Sequence, residues 1–323
     1  MLEDTSLTAQ EVADILKITK NTVYELIKRG DLNGYKVGKK IRIDVKDVED
    51  YKNKTKNRRG TKTDVQEKNI STATNSYAFS INDTKVYSSS EFVICGQDVL
   101  LDILSRYLEL NSQGIHVLRS YAGSFNALLG LYHGKVQIAT SHLWDGDSNE
   151  YNIPYVRRML PGIPSLIIHL ACRTQGFYVQ KGNPKGIKGW EDLKRPDINI
   201  VNREKGSGSR VLLDEHLRLI GVPGYTIKGY HRECVSHLAV ASTVARGEAD
   251  IGLGNEKSSQ QVQGVDFIPL QKERYELVMK KEDMHKKPFK AIIDIIRSEE
   301  FKMELSGIGG YDLTETGKLI AEL

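Results

Sequence analysis

The sequence predicts an α/β chain in two parts: a small helical module carrying a β-hairpin, then a larger two-lobed body. Three observations carry this. Residues 7–51 join two short amphipathic helical patterns to an alternating hairpin pattern. A polar stretch rich in Lys, Asn and Thr follows, from Lys52 to about Ser89, without apolar periodicity. From Glu91 onward, apolar runs of strand length alternate with helical spacing, the signature of strand–helix layers with largely parallel sheets.

In the first module Thr8 and Glu11 stand at the reciprocal spacing of a capping box. Val12, Ile15 and Leu16 are expected on the inward face of the helix that follows. Ile18 sits in a turn, and Thr19 or Lys20 opens a second helix with Val23, Leu26 and Ile27 inward. Lys20, Asn21, Thr22, Tyr24, Glu25 and Lys28 are left facing out, and Gly30 ends the helix. Tyr35-Lys36-Val37 and Ile41-Arg42-Ile43 alternate around Gly38-Lys39-Lys40, a hairpin with a basic tip. Asp44 is expected to cap a short helix through Val45, Val48 and Tyr51.

This run resembles the winged helix-turn-helix of the excisionase and MerR-like families, which implies binding to double-stranded DNA. On that reading Lys39, Lys40 and Arg42 meet phosphates, while Asn21, Thr22 and Lys28, with Lys20 and Tyr24 beside them, face base edges. The alternative is a helical hairpin that docks a protein partner or dimerises. The basic wing and the polar second helix argue for DNA. In the linker, residues 53–88 with Lys52 before them, Lys54, Lys56, Arg58, Arg59 and Lys62 either graze phosphates or form a solvated tether.

Composition limits the rest. With 323 residues and 39% apolar content, the chain can bury a substantial core, and a net charge of +4 by itself demands no nucleic acid. Cys95, Cys172 and Cys234 are odd in number and far apart, so they read as buried thiols of a reducing cytoplasm. The opening Leu2-Glu3-Asp4 resembles no secretion signal, and no apolar run approaches a bilayer span; a cytoplasmic location is expected.

The larger body begins with the strand Glu91–Gly96 and a helix carrying Val99, Leu100, Ile103, Leu104, Tyr107 and Leu108. Ile115–Leu118, a helix after Gly123-Ser124, and Val136–Ala139 follow. Later come Ile198–Val201, a helix after Gly206-Ser207-Gly208-Ser209, and Ala249–Gly252. Two such blocks, separated near Arg173 to Gly182, predict two lobes. Ligands of open α/β sheets sit beyond strand carboxyl ends against helix starts, where unpaired backbone N–H groups favour anions. Ser207, Gly208, Ser209 and Arg210 offer such a site from one lobe and Ser124 from the other. Gln97 follows the first strand with an amide able to donate, and Asp98 reads as a capping carboxylate. Ser141 and His142 follow another strand end.

The segments Gly123–Leu131, His133–Asp145, Asn202–Arg210 and Ala245–Gly254, continued by Phe267–Leu270, Tyr275–Val278 and Gly309–Asp312, resemble in order the periplasmic-binding-protein-like sensors related to molybdate-binding proteins. The resemblance covers about residues 90–323. It implies a type II-like two-lobed domain at 89–323, lobe 1 about 89–173 plus 267–323 and lobe 2 about 174–266, after the DNA-binding domain at 1–52. The cleft itself suits a small anionic effector, an oxyanion or a carboxylate, with the molybdate or tungstate type favoured. The ligand-binding residues expected are Gln97, Ser124, Ser141, His142, Ser207, Gly208, Ser209 and Arg210. Gln97 departs from the serine that oxyanion-binding relatives often place at that turn.

No nucleophile elbow, triad spacing or phosphate-loop fingerprint is present, and His231, Glu233 and His237 around Cys234 fit no standard zinc spacing. Neither an enzyme nor a metal site is expected. The chain reads as a cytoplasmic one-component transcriptional regulator, a homodimer whose binding-protein-like domain controls DNA binding. The competing reading is a solute-binding protein whose amino-terminal domain docks to a protein partner.

Overall fold

A computed structural model describes residues 6–28, 32–38, 40–45, 47–48, 51, 91–112 and 114–323. Gly30, Lys39 and the linker with its basic residues lie outside the described residues. The chain separates into two compact units, Met1–Thr74 and Asn75–Leu323.

The first unit opens with a strand the sequence reading missed, β1 (Ser6–Thr8). Thr8 ends it and starts α1 (Ala9–Leu16). Glu11 N donates to Thr8 Oγ1 at 3.3 Å and Thr8 N to Glu11 Oε2 at 2.7 Å, completing the capping box. Lys17 adopts φ 53° and ψ 48°, turning the chain sharply into α2 (Lys20–Lys28). β2 (Tyr35–Val37) and β3 (Lys40–Asp44) form the hairpin, and β3 also pairs with β1 through Leu7 opposite Ile43.

Ala9, Val12, Ala13, Val23, Leu32, Ile43 and Val48 form the core of this unit. Ile15 does not join them and is 42% exposed. At 100° per residue, Ile15 points about 110° away from the mean direction of Ala9, Val12, Ala13 and Leu16. The small alanines set the buried stripe, and a reading weighted toward large apolar residues misplaces it. Val45, Asp47, Val48 and Tyr51 are helical, as expected. Asp44, the residue before Val45, accepts a hydrogen bond from the Tyr35 hydroxyl at 2.9 Å.

The second unit is a two-lobed α/β body on one nine-stranded sheet, in spatial order Glu233–Cys234, Ile200–Arg203, Ile251–Asn255, Ser165–Gln180, Val265–Lys280, Ile138–Ser141, Glu91–Cys95 and His116–Ser120, with Leu319–Glu322 against Ser165–Gln180. In one lobe β4 (Glu91–Cys95) lies parallel between β5 (His116–Ser120) and β6 (Ile138–Ser141). Helices α3 (Val99–Asn111) and α4 (Ser124–Tyr132) alternate with these strands. A short hairpin of β7 (Trp144–Asp145) and β8 (Glu150–Tyr151) and helix α5 (Ile153–Met159) follow.

The other lobe carries β10 (Ile200–Arg203), α6 (Gly208–Leu219), β11 (Glu233–Cys234), α7 (His237–Ala245), β12 (Ile251–Asn255) and α8 (Glu256–Ser259). Returning to the first lobe, α9 (Lys287–Arg297), α10 (Glu299–Ile308) and β14 (Leu319–Glu322) complete the chain.

Two long strands join the lobes, β9 (Ser165–Gln180) and β13 (Val265–Lys280), each of 16 residues and antiparallel to one another. β9 meets β14 at its start and β12 at its end, so a single strand belongs to both lobes. The boundary expected at Arg173 to Gly182 is therefore the continuing second half of β9. The expectation of largely parallel pairing fits the lobes and fails at these strands, which are antiparallel.

Ile43 is fully buried on β3 at the centre of the first unit. Ile43→Ala should destabilise that unit by about 2–5 kcal/mol through lost burial and cavity formation. Urea denaturation should show that loss while the transition of the larger unit stays in place; a cost below about 1 kcal/mol would mean this strand is not central to the core.

Candidate functional site

On the first unit, α2 presents Lys20, Asn21, Thr22, Tyr24 and Glu25 to solvent while Val23 is buried. The Thr22 amide is capped by Thr19 Oγ1 at 3.3 Å, and the two hydroxyls are 2.9 Å apart. Arg42 lies on β3 opposite Thr8 and Tyr35. The side chains of Lys28 and Lys40, and all of Lys39, are outside the described residues. A solvated polar helix next to a hairpin is the surface that a helix-turn-helix offers to a major groove.

In the second unit the two lobes meet around a cavity of about 20 Å³, room for roughly one water. Gly96 and Gln97 after β4, Gly123 and Ser124 at the start of α4, and Thr140 and His142 around the end of β6 line one side. Arg203 and Ser207 after β10, with His237 at the start of α7, line the other. Arg173 of β9 and Tyr275 of β13 form the floor.

Both GS turns start helices, as the sequence suggests, but they abut across the cleft. Phe125 N donates to Gly206 O at 3.0 Å. A Cβ on Gly123 would come within 2.7 Å of Gly206 O and Ser207 Cα, and one on Gly208 within 2.3 Å of the His142 ring. Glycine at these two positions is what lets the lobes touch.

Arg173 is a buried charge in the cleft, 6% exposed. Its Nη1 donates to Asp98 Oδ2, its Nη2 lies 2.5 Å from Glu273 Oε1, and the guanidinium stacks 4.1 Å over the Tyr275 ring. The Glu273 contact lacks hydrogen-bond alignment, so Nη2, together with Nε, is a buried donor without a hydrogen-bond acceptor.

Burial alone would raise the pKa of Glu273, but Arg173 and His142 outweigh it and hold this carboxyl far below its usual range. Burial likewise opposes ionisation of Asp98, and Arg173 and the Tyr311 hydroxyl overcome it. Asp98 also caps α3, accepting from Leu100 N at 2.8 Å.

Arg203 spans the opening. Its Nη2 donates to Gln97 Oε1 of the opposite lobe at 2.6 Å, and Nε and Nη2 clasp Glu204 at 2.7 Å. His142 Nδ1 lies 2.7 Å from Glu273 Oε2, and its backbone N donates to Ser124 Oγ at 3.2 Å. His237 Nδ1 is shut off from solvent without a partner. Burial first, then Arg203 and Arg173, push the His237 pKa well below its ordinary value, so the ring is neutral at pH 7.

Of the expected residues, Gln97, Ser124, His142 and Ser207 line this cavity. Gly208 backs onto His142. The other three are placed elsewhere. Ser141 is fully buried, with Oγ lacking a hydrogen-bond partner, and is absent from the cavity wall. Ser209 Oγ reaches Gln175 Oε1 at 3.2 Å in the interior.

Arg210, expected to meet an anion, is 3% exposed, paired with Asp214 and Glu233 at 2.9 and 3.0 Å, and stacked 4.4 Å over Tyr230. Its charge is already neutralised inside the lobe, and the cleft's cations are Arg173 and Arg203 instead. Arg203 lies in the run Asn202–Arg210 with Ser207, seven residues before Arg210. Arg173 and Tyr275 carry no signal without the register of the two long strands.

A PBP superfamily domain model matches residues 105–297, and the chain belongs to that superfamily. A helix-turn-helix domain model matches residues 6–56. The chain is 42% identical over 322 residues to the Bacillus subtilis (strain 168) protein YvgK, covering 100% of both chains. The structure is similar to a putative phosphate ABC transporter substrate-binding protein with bound phosphate from Clostridium perfringens, at 16% identity and TM-score 0.51 over 68% of this chain and 98% of that one. It is also similar to EhuB in complex with hydroxyectoine, at 14% identity and TM-score 0.51 over 69% and 90%. These likenesses define a two-lobed binding-protein fold joined to a DNA-binding domain.

Two outcomes follow from the cleft. Gly123→Ala should hold the lobes apart, so the Phe125 amide, protected in the wild type by Gly206, should exchange faster; unchanged protection would contradict the contact. A histidine with a depressed pKa contributes stability that is complete above about 6.5 and lost as pH falls below it. His237→Asn should therefore lose less thermal stability than the wild type between pH 7.5 and 5.5. The pairwise comparison matters because His169, where burial pulls the pKa down but Cys172 and Glu276 outweigh it and raise it, acts in the other direction.

Proposed function

We propose that this protein is a one-component transcriptional regulator whose binding-protein-like unit senses a small anion and controls DNA binding by the amino-terminal unit. The observation that supports the ligand class best is the pair Arg173 and Arg203 in a small cavity, with Arg173 Nε buried without an acceptor and Nη2 facing Glu273 Oε1 without hydrogen-bond alignment. Buried donors without acceptors cost about 1–3 kcal/mol each, more when charged, and an oxyanion entering the cleft would satisfy them.

A tetrahedral oxyanion of the molybdate or tungstate type is the favoured effector. Such an ion is larger than the water-sized space in this closed arrangement, so the lobes must part to admit it. Ser124, Ser207 and the Gln97 amide are the neutral donors that would complete its shell, and the rings of His142 and His237 stand beside them.

Ligand and closure couple only if the anion binds one arrangement of the lobes better than another. The regulator is proposed to act in the cytoplasm as a homodimer on a two-fold-related site, since one such head offers a small reading surface. Arg42 and the wing lysines Lys39 and Lys40 would meet phosphates, and Asn21 and Thr22 bases, with Lys20, Tyr24 and Lys28 beside them.

Calorimetric titration with molybdate, tungstate, sulfate, phosphate and small carboxylates tests the ligand class. One anion should bind at one per chain, and Arg203→Ala should weaken it by about 10–100-fold, the loss of about 1.5–3 kcal/mol expected for a charged hydrogen bond. The same anion should change the affinity for a selected genomic fragment in a fluorescence anisotropy titration. Equal DNA affinity with and without saturating anion would reject the regulator.

A further inference from the structure

Glu204 directly follows β10, one residue after Arg203 and two before Gly206. The edge of the Arg203 guanidinium formed by Nε and Nη2 grips both oxygens of its carboxylate. Nε donates to Oε2 at 2.7 Å and Nη2 to Oε1 at 2.7 Å. The opposite lobe adds a third donor, Gln97 Nε2, at 3.3 Å from Oε1. Gln97 Oε1 in turn accepts from Arg203 Nη2 at 2.6 Å, which closes a ring of three side chains across the opening of the cleft.

An arginine edge that holds two carboxylate oxygens side by side offers the same geometry to a phosphate or another oxyanion. The hydrogens of that edge are limited: Nε carries one and Nη2 two, and Glu204 and Gln97 take all three. Arg203 therefore cannot give this edge to Glu204 and to an effector at the same time.

The three carboxylates on the cleft's arginines are not alike. Asp98 and Glu273, which flank Arg173, have side chains only 6% and 1% exposed, with nowhere to turn. The Glu204 side chain is 24% exposed while that of Arg203 is 2% exposed. The carboxylate has a path to solvent, and the guanidinium stays in place. Turning Glu204 out uncovers a positive charge at the opening and frees the Gln97 amide of the other lobe.

We propose that Glu204 is a tethered competitor of the effector. In the unliganded protein its carboxylate holds the position between Arg203 and Gln97, and an anion with two adjacent oxygens takes that position by turning Glu204 out to solvent. The role rests on the anion-sensor reading and adds to it the residue that sets the concentration at which the sensor responds. A carboxylate seated about nine-tenths of the time leaves one molecule in ten competent and weakens apparent affinity about 10-fold. Displacement also exchanges a hydrogen bond between the lobes, Gln97 to Glu204, for contacts to the anion.

Calorimetric titration of the full chain and of Glu204→Gln with molybdate, tungstate, sulfate, phosphate and acetate tests this, together with a crystal structure of the wild type holding the tightest of the five. Glutamine keeps the shape of the side chain and removes the charge that makes its bonds to Arg203 strong. The anion that binds the wild type should bind Glu204→Gln about 10-fold more tightly. In the complex its oxygens should lie on Arg203 Nε and Nη2, with Glu204 turned away. An anion that binds the variant alone would also support the role. Equal or lower affinity in a folded Glu204→Gln protein, or a complex in which Glu204 still grips Arg203, would overturn it and leave the anion reading standing. Failure of all five anions to bind either protein would contradict both. Should the variant lack a cooperative thermal transition, the wild-type complex decides alone.

Discussion

The buried guanidinium of Arg173 is the constraint around which the larger unit is arranged. It ties together three parts of the chain: β9, which carries it; β13, through Glu273 and the Tyr275 ring; and the start of α3, through Asp98. Two carboxylates as buried as these stay ionised because the cation lies between them. Removing one partner from such a group typically costs about 3–5 kcal/mol, because the remaining charges stay buried without compensation. Residues on both joining strands therefore set the geometry of the cleft floor, so the floor and the connection between the lobes cannot vary independently.

Closure over that floor is a matter of backbone proximity rather than side-chain bulk. Gly123 and Gly206–Ser207 meet with almost no space between them, and Gly208 lies against the His142 ring. Helix starts usually offer free N–H groups to ligands, yet here the Phe125 amide is taken by Gly206 O of the opposite lobe. Glu204 does something similar for Arg203, clasping a cation that would otherwise face the cleft. In this closed arrangement the protein's own acceptors occupy several donors of the cleft. On the proposed function an arriving anion competes with them, and the difference between those two sets of contacts is what would be converted into a signal.

Much of the fold was legible because it is local. The capping box at Thr8 and Glu11, the hairpin around Gly38, and the helices opening after Gly123-Ser124 and Gly206–Ser209 depend on residues a few positions apart. The 16-residue strand β9 was not legible, since a strand buried on both faces loses the alternation that marks a half-exposed one, and β13 is continuously buried only over Tyr275–Met279. The site suffered from the same blind spot. Gln97, Ser124, His142 and Ser207 were readable as polar groups at strand ends and helix starts, whereas Arg173 and Tyr275 are placed by long-range register. Arg210 misled because an arginine after a glycine-serine turn looks like an anion ligand until Asp214, Glu233 and Tyr230 are seen around it.

The central claim is that the unmatched Arg173 donors are satisfied by the bound anion, and the calorimetry of Arg173→Lys tests it most directly. Lysine keeps the positive charge between Asp98 and Glu273 but lacks the Nε and Nη2 donors of the guanidinium. For whichever oxyanion or carboxylate binds the wild type, the account predicts a folded variant whose affinity is lower by about 10–100-fold, the equivalent of about 1.5–3 kcal/mol for a charged hydrogen bond. Wild-type affinity in a folded Arg173→Lys protein would show that the anion binds elsewhere.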